Sequence, residues 1–225
     1  MNRKHEQSVA DNFSDGFKKV AAKYDRSINR CSLDGQDAIL GADYIFTDTS
    51  NFALIEFKYE EEDIKAESKK DLRLKLCTVL DNEIHKRTQS LKCHYIAWSN
   101  KRHYRTVILN QYYPEVCNNA VFSKNQPPQF LHDEPQVVSR ISANEAFESF
   151  LNGRIGSNYF TFKHYTNWLM SLGGHEGSTI EVMLDNPNSN QLEIIDFPSL
   201  ELMKNWLDHN RPNKKSTPPE PSFFD

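Results

Sequence analysis

The sequence predicts an α/β fold, with a mixed central sheet flanked by helices and a C-terminal α+β extension. Three observations carry this reading. An amphipathic helix opens the chain, a β-hairpin follows, and then come a helix and two more apolar strands. The 225 residues are 38% apolar and 12% aromatic, enough for a packed interior in one generous domain or in a core with an appended lobe. There is no internal repeat, and the only low-complexity tract is the proline-rich tail.

The first helix is expected from about Lys4 to Lys23. Val9, Phe13, Phe17, Val20 and Tyr24 fall within an arc of roughly 80° on a helical wheel, a core-facing stripe. Glu6 falls inside the same arc. A carboxylate there either faces water near the positive end of the helix dipole or points at something that needs it.

The hairpin is read from Gly41–Phe46 and Phe52–Tyr59, two β-branched and aromatic runs around the polar cluster Thr47-Asp48-Thr49-Ser50-Asn51. With Thr49-Ser50 as a two-residue loop, Asp43 lies opposite Glu56. Lys58, two residues further on, then projects from the same face. Opposed carboxylates repel, and a bound divalent cation removes that penalty. Hard oxygen ligands on a rigid hairpin suit Mg²⁺, which takes one or two carboxylates and keeps waters for substrate. A lysine beside such an ion can orient or deprotonate a water, or offset negative charge. The competing interpretation is a solvated outer face on which acid and base alternate.

The acidic run Glu60-Glu61-Glu62-Asp63 reads as a loop or helix start. A helix follows with Leu72, Leu76, Val79, Leu80 and Ile84 on one face, while Lys69, Lys70 and Arg73 lie off that stripe. It leads to the polar patch His85-Lys86-Arg87-Thr88-Gln89. Leu91–Trp98 and Arg105–Tyr112 read as strands. Ser123–Gln136, with Pro127, Pro128 and Pro135, reads as a linker or extended loop.

The capping box Ser142-Ala143-Asn144-Glu145 opens a short helix that stops near Gly153. Another helix spans about Tyr159 to Leu172. Strands are expected at Thr179–Leu184 and Gln191–Phe197, and a last helix runs from Ser199 to about Asp208. The division is therefore a core (1–122), a linker (123–136), an extension (137–210) and a tail (211–225) expected to be disordered.

Net charge is −4, which argues against nonspecific coating of nucleic acid. The charge is uneven, with eleven Lys/Arg against four Asp/Glu between Lys65 and Arg105. A basic block directly after the acid-bearing strand is where a phosphate backbone needs it, although a solvated helix face looks the same. Cys31, Cys77, Cys93 and Cys117 have no zinc-ligand spacing, and reduced thiols in a cytoplasm are expected. The start Met1-Asn2-Arg3-Lys4-His5-Glu6 leads into no apolar stretch, so secretion is not expected, and no membrane-length apolar run, phosphate-binding loop or G-x-S-x-G nucleophile motif is seen.

The set of Asp43, about a dozen residues, and then Ile55-Glu56-Phe57-Lys58 resembles the PD-(D/E)xK, or restriction-endonuclease-like, nuclease superfamily. Ala42 stands where the family's usual proline would be. The likeness covers roughly residues 5 to 110 and is silent beyond them. It implies a cytoplasmic, metal-dependent nuclease acting on DNA in preference to RNA, of the kind found in prokaryotic restriction and anti-phage defence. Asp43, Glu56 and Lys58 would be catalytic. Asp43, Glu56 and the backbone carbonyl of Phe57 would hold Mg²⁺ or Mn²⁺, with Glu6 a candidate further ligand. Lys69, Lys70, Arg73, Lys86, Arg87 and Gln89 are the expected nucleic-acid contacts. Homodimerisation, or recruitment by a larger protein such as an ATPase or helicase, is expected because no separate recognition motif is present. The same fold also serves as a catalytically silent binding or scaffolding subunit, which is the alternative.

Overall fold

A computed structural model describes residues 3–33, 35–101, 103–122, 130–186 and 193–210. The tail, the first half of the expected linker and the first residues of the last expected strand lie outside them. The fold is α/β, with a mixed, open sheet in the order β6-β5-β4-β3-β2-β1-β7-β8 and helices on both faces.

Helix α1 (Arg3–Ala22) leads into β1 (Asn29–Ser32), the short α2 (Asp37–Leu40), β2 (Tyr44–Thr47) and β3 (Phe52–Lys58). A 3₁₀ segment (Glu61–Lys69) then precedes α3 (Asp71–Asn82), α4 (Ile84–Cys93), β4 (His94–Lys101), β5 (Arg105–Gln111) and α5 (Tyr112–Val116). The remainder is β6 (Ile141–Ser142), α6 (Ala143–Leu151), α7 (Tyr159–Leu172), β7 (Val182–Asp185), β8 (Ile194–Phe197) and α8 (Leu200–His209). Strands β3 and β4 run parallel, and α3 and α4 supply the crossover that a parallel pair requires. The other pairs are antiparallel. Strand β6 extends the sheet beside β5, and β7 and β8 extend it beside β1, so residues that follow the expected linker complete both edges.

Strand alternation divides the interior into two cores. Ala53, Ile55 and Phe57 pack with Phe13 and Phe17 of α1 and Phe147 and Phe150 of α6 on one face. Phe52 and Leu54 pack with Leu76, Trp98, Tyr112, Phe162 and Leu169 on the other. Glu56 and Lys58 follow the even-numbered set into that second face, where they are almost wholly buried.

The β2–β3 register is the one expected, with Tyr44 opposite Ile55 and Thr47 opposite Phe52. The loop is longer than two residues. Asp48 Oδ1 accepts from the Ser50 and Asn51 N–H groups at 3.0 and 2.8 Å, and Thr49 takes a left-handed φ of 77°. Because this loop grows symmetrically about Thr49-Ser50, the pairing is unchanged.

Other expectations need correction. The expected single helix after the acidic run breaks at Glu83, which is extended, and Ile84 is 70% exposed rather than on the buried stripe. Leu91 to Cys93 finish α4, so the following strand starts at His94. Strand β7 starts at Val182, three residues later than expected. The thiols are not all reduced: Cys77 of α3 and Cys117 after α5 form a disulfide across 40 residues, while Cys31 and Cys93 are free and buried. Closing a loop of that length is worth about 4 kcal/mol in the chain-entropy description. The Cys77→Ser/Cys117→Ser double variant is expected to melt well below the oxidised wild type. Excess reductant should bring the wild type close to it. Equal melting temperatures would remove the bridge from the folded state's stability.

Candidate functional site

Strand β3 outruns its neighbour. β2 begins at Tyr44, so the end of β3 borders a notch floored by Asp43, Glu56, Phe57 and Lys58. Glu6, Gln7 and Ala10 of α1 form one wall, and Asp37, Asp63, Ala66 and Lys70 close the others around about 520 Å³. Gly41 sets the entry to the floor. Its φ of 74° is left-handed, and a Cβ there would sit 3.1 Å from the Arg73 guanidinium and 3.2 Å from the His94 ring. The chain then reaches Asp43, whose N–H donates to the Ile55 carbonyl at 3.1 Å.

Asp43 lies at a bend just before β2, and its side chain lines the same notch as Glu56. Its Oδ2 accepts the Phe57 N–H at 2.7 Å. In an extended strand, N–H and C=O of one residue point the same way, so the Phe57 carbonyl also faces the edge beside Asp43. Burial, and then the Glu56 carboxylate, push the Asp43 carboxyl up to about 7. Glu6 is half-buried, and burial likewise raises its carboxyl, with Glu56 and Asp63 adding to it against the pull of Lys58.

The cations are arranged around Glu56 and a residue the sequence did not single out, Glu67. The Lys58 ammonium pairs with Glu56 Oε1 and lies 3.0 Å from Glu67 Oε1. Lys70 Nζ bridges the same two oxygens at 2.8 and 2.7 Å. Glu67 Oε2 accepts from Arg73 Nε at 3.1 Å and from the Tyr112 hydroxyl at 2.7 Å. Burial opposes the charge on both Lys58 and Glu67. It is outweighed by Glu56 and Glu67 for the ammonium, which titrates higher than usual, and by the three cations for the carboxyl, which titrates lower.

The expected nucleic-acid contacts are dispersed. Lys70 lies in the notch and Lys69 is exposed beside it. Arg73 is fully buried, so no phosphate can reach it without unfolding. Lys86 lies over the Trp168 ring, and Arg87 donates to the Asp81 carbonyl and the Tyr113 hydroxyl. Gln89 is half-buried on α4, and none of Lys86, Arg87 and Gln89 lines the notch. Within the basic block, Lys75 and Arg105 are also committed, to the Leu172 carbonyl and to Glu60.

Among the described residues no group of three or more His, Cys, Asp or Glu is placed to hold a metal ion. The Asp43 and Glu56 carboxylates and the Phe57 carbonyl border open space, where an ion that keeps much of its water, as Mg²⁺ does, would have room. Glu6 is the remaining carboxylate on α1 that faces this space. Glu6→Gln is expected to slow catalysis by about tenfold or more if it supports such an ion, with little change in melting temperature. An unchanged rate would leave Glu6 as a residue of the wall.

No protein-family model matches the chain, and comparison with curated proteins and with solved structures gives no match either.

Proposed function

We propose that this protein is a metal-dependent nuclease of the PD-(D/E)xK kind, built on a restriction-endonuclease-like core and hydrolysing phosphodiester bonds, DNA before RNA. The observation that carries the reading is that Asp43, Glu56 and Lys58 line one open notch, with Lys58 two residues beyond Glu56 on the same strand. The raised Asp43 carboxyl supports it, because burial and then the Glu56 carboxylate raise it, and a divalent cation would offset the cost of the buried negative charges.

Asp43, Glu56 and the Phe57 carbonyl would hold Mg²⁺ or Mn²⁺. When bound, the ion would polarise the scissile phosphate and lower the pKa of a water. Lys58 would act as a fixed ammonium, donating a hydrogen bond to the attacking water or to a phosphate oxygen that gains charge. Its raised pKa favours that role over proton abstraction. Lys70, with a 38% exposed side chain, can turn from Glu56 toward a phosphate. Lys69, exposed beside it, is the other expected backbone contact. A homodimer, or a larger partner such as an ATPase or helicase, would supply recognition that this chain's surface cations do not concentrate in one place. Restriction or anti-phage defence is the setting that fits.

Incubation with plasmid, linear duplex, single strands and RNA tests the reading. Mg²⁺ or Mn²⁺ should support cleavage, Ca²⁺ should permit binding with little turnover, and Zn²⁺ should not be required. Full activity in excess EDTA would overturn it.

The reading as a silent subunit has one observation in its favour. Glu56 is already neutralised by two ammonium groups, so its charge is satisfied without a metal. A melting temperature unmoved by Mg²⁺ or Mn²⁺, together with nucleic-acid binding and no cleavage, would select it.

A further inference from the structure

We propose that Glu67 is a positioning residue for Lys58, holding its ammonium over the floor of the notch when Glu56 is engaged elsewhere. This rests on the nuclease reading above. The Glu67 side chain is fully buried and divides its two oxygens between two tasks. Oε2 is fixed to the scaffold by Arg73 and Tyr112, and Arg73 in turn donates to the Asp37 carbonyl at 2.9 Å. The anchor thus ties α3 and α5 to α2, the element just before Asp43. Oε1 faces the two lysines. A carboxylate held by both a guanidinium and a phenol cannot swing with the groups it faces.

Lys58 has three N–H donors on a flexible stem. Glu56 accepts from one of them, and Glu67 Oε1 lies 3.0 Å from the nitrogen as a second charge partner. If Glu56 turned to a cation, an ammonium with no other partner would be free to follow it or to drift. With Glu67 in place, the ammonium keeps a fixed carboxylate oxygen 3.0 Å away. A misplacement of about 1 Å in a reacting group costs roughly 10²-fold in rate, so the anchor bears on turnover more than on substrate binding. A purely structural ion pair would need neither the catalytic lysine nor the partly exposed Lys70 beside the open notch.

The test uses the full chain, steady-state cleavage of a labelled DNA duplex with Mg²⁺, and NMR of the lysine ammonium groups. Glu67→Gln is expected to lower kcat by about 10²-fold while KM stays within about threefold. In wild type, a slowly exchanging ¹H–¹⁵N ammonium signal, assigned to Lys58 by its loss in Lys58→Arg, is expected to vanish in Glu67→Gln. Should Glu67→Gln fail to fold, the Glu67→Met/Arg73→Met double variant removes both buried charges together. The same loss of kcat is expected of it. A folded variant of either kind with wild-type kcat, or an unchanged Lys58 signal, overturns the positioning role. A wild type that cleaves no nucleic acid with Mg²⁺ overturns the nuclease reading instead, so the two failures are distinguishable.

Discussion

Asp43→Asn is expected to abolish cleavage and yet, in metal-free buffer at about pH 8, to melt higher than the wild type. The sign follows from the Asp43 carboxyl being pushed up to about 7 in the fold by burial and by Glu56. In the unfolded chain it titrates near the ordinary value of about 3.9. Between these values the folded state binds more protons than the unfolded state. Asp43 therefore weakens the fold progressively as pH rises through that window, and the full cost is present above about 7. Asparagine cannot ionise but can still accept the Phe57 N–H that Asp43 Oδ2 receives at 2.7 Å. The two values lie about 3 units apart, so the gain approaches about 4 kcal/mol at about pH 8 and vanishes near pH 4. In a chain of this length that is on the order of 10 °C of melting temperature. Mg²⁺ or Mn²⁺ should stabilise the wild type most at the alkaline end and leave the variant nearly unmoved. Melting curves from about pH 4 to 9, with and without metal, read all of this. A variant several degrees less stable than wild type at about pH 8, or one that still cleaves, would remove Asp43 from the site.

Much of this site was legible because a hairpin's register follows from its turn and its apolar pattern. Ile45, Leu54 and Ile55 have to be buried, which fixes which residues face which core, so the register from Tyr44–Ile55 to Thr47–Phe52 is the expected one even though the loop was misjudged. Asp43 lies at a bend just outside the paired residues. Glu67 was not legible in that way. It sits in Lys65-Ala66-Glu67-Ser68-Lys69-Lys70, which reads as a solvated face, and it is buried because a 3₁₀ turn eclipses residues three apart. The spacing of Ile64, Glu67 and Lys70 was the available signal, and it had meaning only if the segment was 3₁₀ rather than α. Arg73 was misplaced for a related reason. One α-helical wheel drawn through Ile84 put the apolar stripe on the wrong arc, because the helix ends at Asn82. Cysteine spacing could not pair Cys77 with Cys117, since the contact depends on α3 packing against the turn after α5.

Replacing Arg73 is expected to destabilise the protein strongly rather than to weaken nucleic-acid binding selectively. Its side chain is 0% exposed, with Nε bound to Glu67 and Nη2 to the Asp37 carbonyl. The guanidinium packs against Gly41, where the chain turns into the strand that presents Asp43. Arg73→Ala leaves a void under that turn and strips the fully buried Glu67 of a cation. Breaking a buried pair from one side costs about 3–5 kcal/mol, because the surviving charge loses its compensation. For a chain of this size that is a fall of roughly 10 °C in melting temperature. Arg73→Lys should recover only part of it, since a single ammonium cannot reproduce the forked reach to Glu67 and Asp37. A phosphate contact would behave differently. Its loss would leave the melting temperature alone, weaken binding across all sequences, and reduce the salt dependence of binding by about one ion. Thermal melts and salt titrations on the same Arg73→Ala preparation separate the two. Wild-type stability combined with a shallower salt slope would return Arg73 to the surface.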